Sequence, residues 1–159
     1  MSDPERPPVV YVDANPFIYF IEGEEAIASA LRPFFDALRR KPGLAATSEL
    51  TLAEVLPKAQ PTARRGYLSL IVRSRLFDLL PVTRTVLIDT ADYRRALTRA
   101  LPDGRQVMPN LPDAIHIVTA VQSRCRAILT ADAALKAPEG MMTYRPDEVG
   151  IEALLREFV

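Results

Sequence analysis

Hydrophobic positions along the chain switch repeatedly between a strand-like and a helix-like spacing. Val9-Val10-Tyr11-Val12 is a β-branched and aromatic run, which predicts a buried strand ending at Asp13. Asn15-Pro16 turns the chain, and Phe17–Ile21 reads as a short apolar helix. From Glu24 to Arg39 the apolar residues Ala26, Ile27, Ala30, Leu31, Phe34, Phe35 and Leu38 recur at helical spacing. Pro33 lies inside that run and predicts a kink or a fresh helix start, because proline lacks the N–H that the ladder needs. Leu44–Thr47 is a second strand, after which Ser48 reads as the N-cap of a helix over Leu50–Leu56, ended by Pro57 and Pro61. Helices over Thr62–Arg73 and Thr85–Leu101 flank a third strand near Phe77–Val82. Pro102-Asp103-Gly104 predicts a turn and Met108–Leu111 a loop. A helix opens at Pro112 and runs to about Ser123, since proline is pre-organised for the first helical position. Ala127–Thr130 and Met141–Thr143 complete the strands, and Asp147–Phe158 forms a closing helix.

Strands separated by helices imply βαβ units and a mostly parallel sheet covered on both faces. Ligands in such sheets bind beyond the carboxyl ends of the strands. That rule singles out Asp13 and Asp132, each just past an apolar strand. The chain has 159 residues, of which 48% are hydrophobic and 25% charged, which suits one packed domain over 9–159 and excludes a disordered or coiled-coil chain. Residues 1–8 read as a flexible, proline-rich lead-in without the features of a secretory signal. The absence of a long apolar run predicts no membrane span, and a single cysteine, Cys125, points to a structural thiol and a cytoplasmic setting.

Acidic residues placed against apolar segments are the chemical signal. Asp13 follows the first strand, Glu54 sits within Leu50–Leu56, Asp113 opens the helix at Pro112, and Asp132 follows Ile128-Leu129-Thr130. Burying carboxylates unpaired is costly and several together repel. No lysine or arginine adjoins them in sequence, so a hard divalent cation, magnesium or manganese, would reconcile their grouping. Singly, each has a plainer reading: Asp113 as a first-turn carboxylate favoured by the helix dipole, Asp132 as a cap, Glu54 as a half-exposed helical residue. His116, one turn after Asp113 and flanked by isoleucines, reads as a core histidine or one that supports a site from behind it, in preference to a catalyst or ligand. No phosphate-binding glycine loop of the P-loop or dinucleotide type is present, and one histidine with one cysteine leaves little for a nucleophilic triad.

Charge adds one feature. Twenty basic residues balance twenty acidic ones, but Lys58–Arg105 carries ten basic against four acidic, an excess of six. Either these are solvated helix faces or they hold phosphate.

The ordered motifs resemble those of the PIN-domain nucleases, and within them the VapC-type toxins of bacterial toxin–antitoxin pairs. Val10-Tyr11-Val12-Asp13-Ala14-Asn15 is similar to the family's first acidic motif, and Thr47–Leu56 to the helix with its second acidic residue. Leu111–Ala120 followed by Ile128–Asp132 is similar to its third and fourth. The resemblance implies a three-layer α/β/α sandwich with a mostly parallel central sheet. It implies a metal-dependent endoribonuclease using magnesium or manganese, restrained by a cognate antitoxin and forming a homodimer. Carried over by position, Asp13 and Asp113 would be the principal metal ligands. Glu54 and Asp132 would bind the ion directly or through water, and Asn15, Thr130 and Ser48 would orient the carboxylates. The arginine-rich segment, including Arg64, Arg65, Arg94 and Arg95, would hold the RNA backbone. A PIN-like RNA- or protein-binding module without turnover is the alternative, and retention of all four acidic residues speaks against it.

Overall fold

The structure is a computed structural model and describes residues 8–159. The proposed lead-in therefore lies outside the described residues except for Pro8, which is buried. A five-stranded sheet forms the centre, from β1 (Val10–Val12), β2 (Ala45–Ser48), β3 (Phe77–Leu80), β6 (Ala127–Leu129) and β7 (Met142–Tyr144). Its order is β3-β2-β1-β6-β7, and every neighbouring pair is parallel. Parallel strands need long crossovers, which the helices supply: α1 (Ala14–Glu22), α2 (Glu25–Arg40), α3 (Leu50–Val55), α4 (Pro61–Tyr67), α5 (Arg84–Ala96), α6 (Leu111–Gln122) and α7 (Glu148–Phe158).

Side chains alternate across a strand, so the sheet feeds two cores. Val10, Val12, Ala45, Ala127 and Leu129 pack with Phe17, Leu31, Phe34, Phe35, Ile71, Ile151 and Leu154 on the face covered by α1, α2, α4 and α7. Tyr11 and Ile128 point the other way, against Ile117, Ala120 and Leu135. There α5 and α6 form the outer layer, with Val86, Ile115 and Val118 between them. The result is the expected α/β/α sandwich. Among the described residues no helix is long and apolar enough to cross a membrane.

The structure departs from the sequence expectations at four places. Pro33 neither ends nor restarts the second helix, which runs unbroken from Glu25 to Arg40; four fully buried core residues on it, Leu31, Phe34, Phe35 and Leu38, outweigh one missing ladder bond. Ser48 ends β2 rather than occupying the N-cap position, though its hydroxyl still accepts from the Leu50 N–H. The helix expected over Thr62–Arg73 begins as α4 and continues as a wider-wound π-helical stretch over Leu68–Arg73. The helix expected to reach Leu101 stops at Ala96, and a two-stranded antiparallel ribbon follows, β4 (Arg99–Ala100) with β5 (Gln106–Val107). Gly104 turns that ribbon with φ of +83°, a left-handed conformation that glycine takes without strain. Exposed strands of two residues leave no hydrophobic period to read.

Candidate metal centre

The carboxyl end of β1 delivers Asp13 to the top of the sheet, where it is buried and caps α1. Its Oδ1 accepts from the Ala14 N–H at 2.8 Å. Its Oδ2 accepts from the Thr130 hydroxyl at 2.7 Å and from Asn15 Nδ2 at 3.1 Å. Asn15 Oδ1 accepts from the Ala131 N–H at 2.7 Å, and Thr130 Oγ1 accepts from the Asp132 N–H at 3.0 Å. Asn15, in the first turn of α1, and Thr130 thus stitch the start of α1 to the loop after β6, and both hold the Asp13 carboxylate in one orientation. Among the described residues Ser48 forms no such contact with a carboxylate; its hydroxyl accepts from the Leu50 N–H.

Glu54 arrives from α3, and its Oε2 lies 2.7 Å from His116 Nε2. The same nitrogen is 3.5 Å from Asp13 Oδ1. One donor atom from each of Asp13, Glu54 and His116 lies within 4.8 Å of the other two, a spacing that a single cation could bridge. His116, read from sequence as a core histidine or one behind a site, joins this group although it was not among the four acidic residues singled out there. Its side chain is only 1% exposed, as a core histidine's would be, yet it faces two carboxylates. The signal available was its position at i+3 from Asp113, which puts both on neighbouring parts of one helix surface.

Asp113 and Asp132 are not members of that close group, though the charges of Asp132 and Asp13 both reach Asp113. Asp113 is half-buried in the first turn of α6 and forms a reciprocal pair with the N-cap: its N–H donates to Asn110 Oδ1 at 2.9 Å, and its Oδ2 accepts from Asn110 Nδ2 at 2.7 Å. Burial raises its pKa above the ordinary value, and the charges of Asp132 and Asp13 raise it further, against the lowering effect of Asn110 and His116. Asp132 Oδ1 accepts from the Ala134 N–H at 2.8 Å. Burial lowers the pKa of His116, but the Glu54 hydrogen bond and the charges of Asp13, Glu54 and Asp113 outweigh it, and the net direction is upward. Cys125 is buried away from this centre, and burial pushes its thiol up to about 12, so it stays protonated and inert.

The four arginines named from sequence do not form one patch. Arg64 and Arg65 lie exposed on α4, beneath one face of the sheet, whereas Arg94 and Arg95 lie on α5 beneath the other. Arg94 is half-buried, and its Nε donates to the Pro109 carbonyl at 2.8 Å, one residue before the cap of α6.

Known proteins share this fold. The PIN domain family profile matches residues 10–140. No curated protein matches. Among solved structures, VapBC2 from Rickettsia felis, bound to a DNA fragment from its promoter, is similar with a TM-score of 0.62 and 13% identity over 86% of this chain and 98% of the other. DNA-bound VapBC from Salmonella typhimurium is similar with a TM-score of 0.58 and 20% identity over 87% of this chain and 98% of the other.

Proposed function

Because the chain belongs to the PIN-domain family, we propose that it is a metal-dependent endoribonuclease and the toxin component of a toxin–antitoxin pair. The observation that carries this reading is the convergence of Asp13, Glu54 and His116 within 4.8 Å at the carboxyl end of a parallel sheet. Asp113 stands close enough to feel the charges of Asp13 and Asp132. The two similar structures named above are VapBC assemblies, which supports a cognate antitoxin as partner. RNA, the antitoxin and a second copy of the chain are the partners this reading implies, in a cytoplasmic setting.

The donor set fits magnesium or manganese. Asp13 is rigid and nearly fully enclosed, Glu54 is exposed on one side, and oxygen donors predominate. Asp13 and Glu54 would hold the ion directly, and Asp113 and Asp132 would bind it directly or through water. When bound, a divalent ion lowers the pKa of its water and offsets charge that builds on the phosphoryl oxygens. The chain's own residues do the rest. Thr130 and Asn15 keep Asp13 from turning away, so little reorganisation is needed when the ion arrives. The reciprocal bond with Asn110 holds Asp113 at the mouth. Exposed arginines on α5 and the β4–β5 ribbon, Arg95 and Arg99, would offer charge to the phosphate backbone, beside Arg94, whose guanidinium reaches the Pro109 carbonyl at the start of α6.

Purified protein is incubated with single-stranded RNA in magnesium or manganese, with and without chelator. Cleavage that requires the ion is expected. RNA left whole in both metals, by protein shown to be folded, would reduce the chain to a binding module.

A further inference from the structure

His116 is held from both sides. Its Nδ1 lies 2.6 Å from the hydroxyl of Tyr11, whose side chain is wholly buried, and its Nε2 lies 2.7 Å from Glu54 Oε2. An ionised carboxylate can only accept, so Nε2 carries a proton and donates to Glu54. In the neutral ring Nδ1 is then an acceptor, and the Tyr11 hydroxyl donates to it. The three side chains form a directed chain from tyrosine to imidazole to carboxylate. The alternation of β1 explains its origin: Val10 and Val12 face one core while Tyr11 faces the other, beneath α6.

Glu54 needs such a fixture. It sits on a helix of only six residues, and its own side chain is 28% exposed. Left alone, a glutamate there would sample several rotamers and lose entropy on binding an ion. We propose that His116 is the positioning residue for Glu54, set in its tautomer by Tyr11, and that this pair presents Glu54 Oε2 to the ion. The inference rests on the proposed metal site, and it assigns the imidazole a place behind the carboxylate, not a place on the metal.

The test separates these roles by metal binding as well as by cleavage. Manganese affinity is measured by calorimetric titration on the wild type, His116→Leu, His116→Gln and Tyr11→Phe, each checked for folding by circular dichroism. Groups that orient a ligand from behind typically account for about ten- to a hundredfold in affinity or activity. His116→Leu should therefore weaken manganese binding by about tenfold or more, and Tyr11→Phe by less. His116→Gln keeps an N–H donor of similar reach and should recover most of the affinity. Equal reductions in the leucine and glutamine variants, with a nitrogen coupling to manganese in the wild-type pulsed EPR spectrum that both lack, would make His116 a ligand and overturn the proposal. Unchanged affinity in a folded His116→Leu protein would overturn it too, as would a wild type that binds no manganese. A wild type that binds manganese with the predicted variant pattern but cuts no RNA would refute the nuclease reading and leave the positioning role standing.

Discussion

Asp13 combines three accepted hydrogen bonds with near-complete burial, and those features fix what its replacement should do. Asp13→Asn keeps the shape and can still accept from Ala14 or Thr130, so the fold should survive. It removes the negative charge that an ion needs. Metal contributes several kcal/mol of charge stabilisation in such reactions, and each 1.4 kcal/mol is tenfold in rate, so cleavage should fall by about a hundredfold or more. Asp113→Asn should act in the same direction. Near wild-type cleavage of an RNA substrate by either purified variant would remove it from the site. A second consequence concerns pH in the metal-free protein. His116 has a folded pKa above 6.5, so its stabilising contribution is complete below 6.5 and is lost as pH rises through the folded value. The raised pKa of Asp113 acts in the same sense: its penalty is present above the folded value and shrinks as pH falls through it toward 3.8. In chelator, the melting temperature should therefore fall as pH is raised from 6 to 8.5, and His116→Gln should flatten that slope. A melting temperature that rises over this range would contradict the His116 assignment.

At the scale of elements, the N-terminus of α6 serves the helix and the site together. Asn110 accepts from the Asp113 N–H and donates to its carboxylate, so one side chain caps the helix and aims the acid. Replacing an N-cap asparagine by alanine costs about 1 kcal/mol. Asn110→Ala should lower the urea midpoint by a matching amount and should also weaken cleavage, because Asp113 loses its tether; a variant that loses stability without losing activity would confine Asn110 to capping. This dual use explains why Asp113 had two readings in sequence. A first-turn carboxylate favoured by the dipole and a carboxylate facing a metal occupy the same position, and the nearby charges of Asp13 and Asp132, which raise its pKa beyond what burial does, are visible only in the fold. The five strands of the central sheet were legible as short apolar runs, whereas the two of the β4–β5 ribbon were not. Pro33 was not, since whether a helix tolerates proline depends on what its other face buries.

For the whole molecule, the sheet splits the arginine-rich segment into two layers with different relations to the site. Gly66 of α4 approaches Ile21, and Tyr67 donates to Glu22, both near the end of α1 away from Asp13. At a rise of about 1.5 Å per residue this places the α4 arginines remote from the centre. The end of α5 instead meets the start of α6: Arg94 donates to the Pro109 carbonyl, and the charge of Asp113 raises the Tyr93 pKa after burial has done so. Charge reversal at Arg95 and Arg99 should therefore weaken binding of single-stranded RNA and flatten the logarithmic salt dependence by about 0.7 for each phosphate no longer neutralised. The same change at Arg64 and Arg65 should have a smaller effect, and the opposite ranking would place the RNA on the α4 layer. Metal should also stabilise the whole fold, since an ion that binds only the folded state contributes about 2.7 kcal/mol at a hundredfold excess over its dissociation constant. The melting temperature should rise with manganese in the wild type and barely move in Asp13→Asn; equal shifts would put the ion elsewhere.

Local pattern was enough for the alternation of strands and helices, for the parallel sheet that it entails, and for Asp13 and Asp132 beyond strand ends. These follow from periodicity and connection rules, which act over a few residues at a time. The interactions that build the centre do not. His116 meets Glu54 across 62 positions and Tyr11 across 105, and Thr130 meets Asp13 across 117. Helical spacing placed His116 on a packed face without saying what lay opposite, and a buried histidine looks the same in sequence whether isoleucine or carboxylate faces it. That choice was made by the strand order, which sets β1 between β2 and β6 and so brings Tyr11, the helix after β2 and the loop after β6 to one end of the sheet.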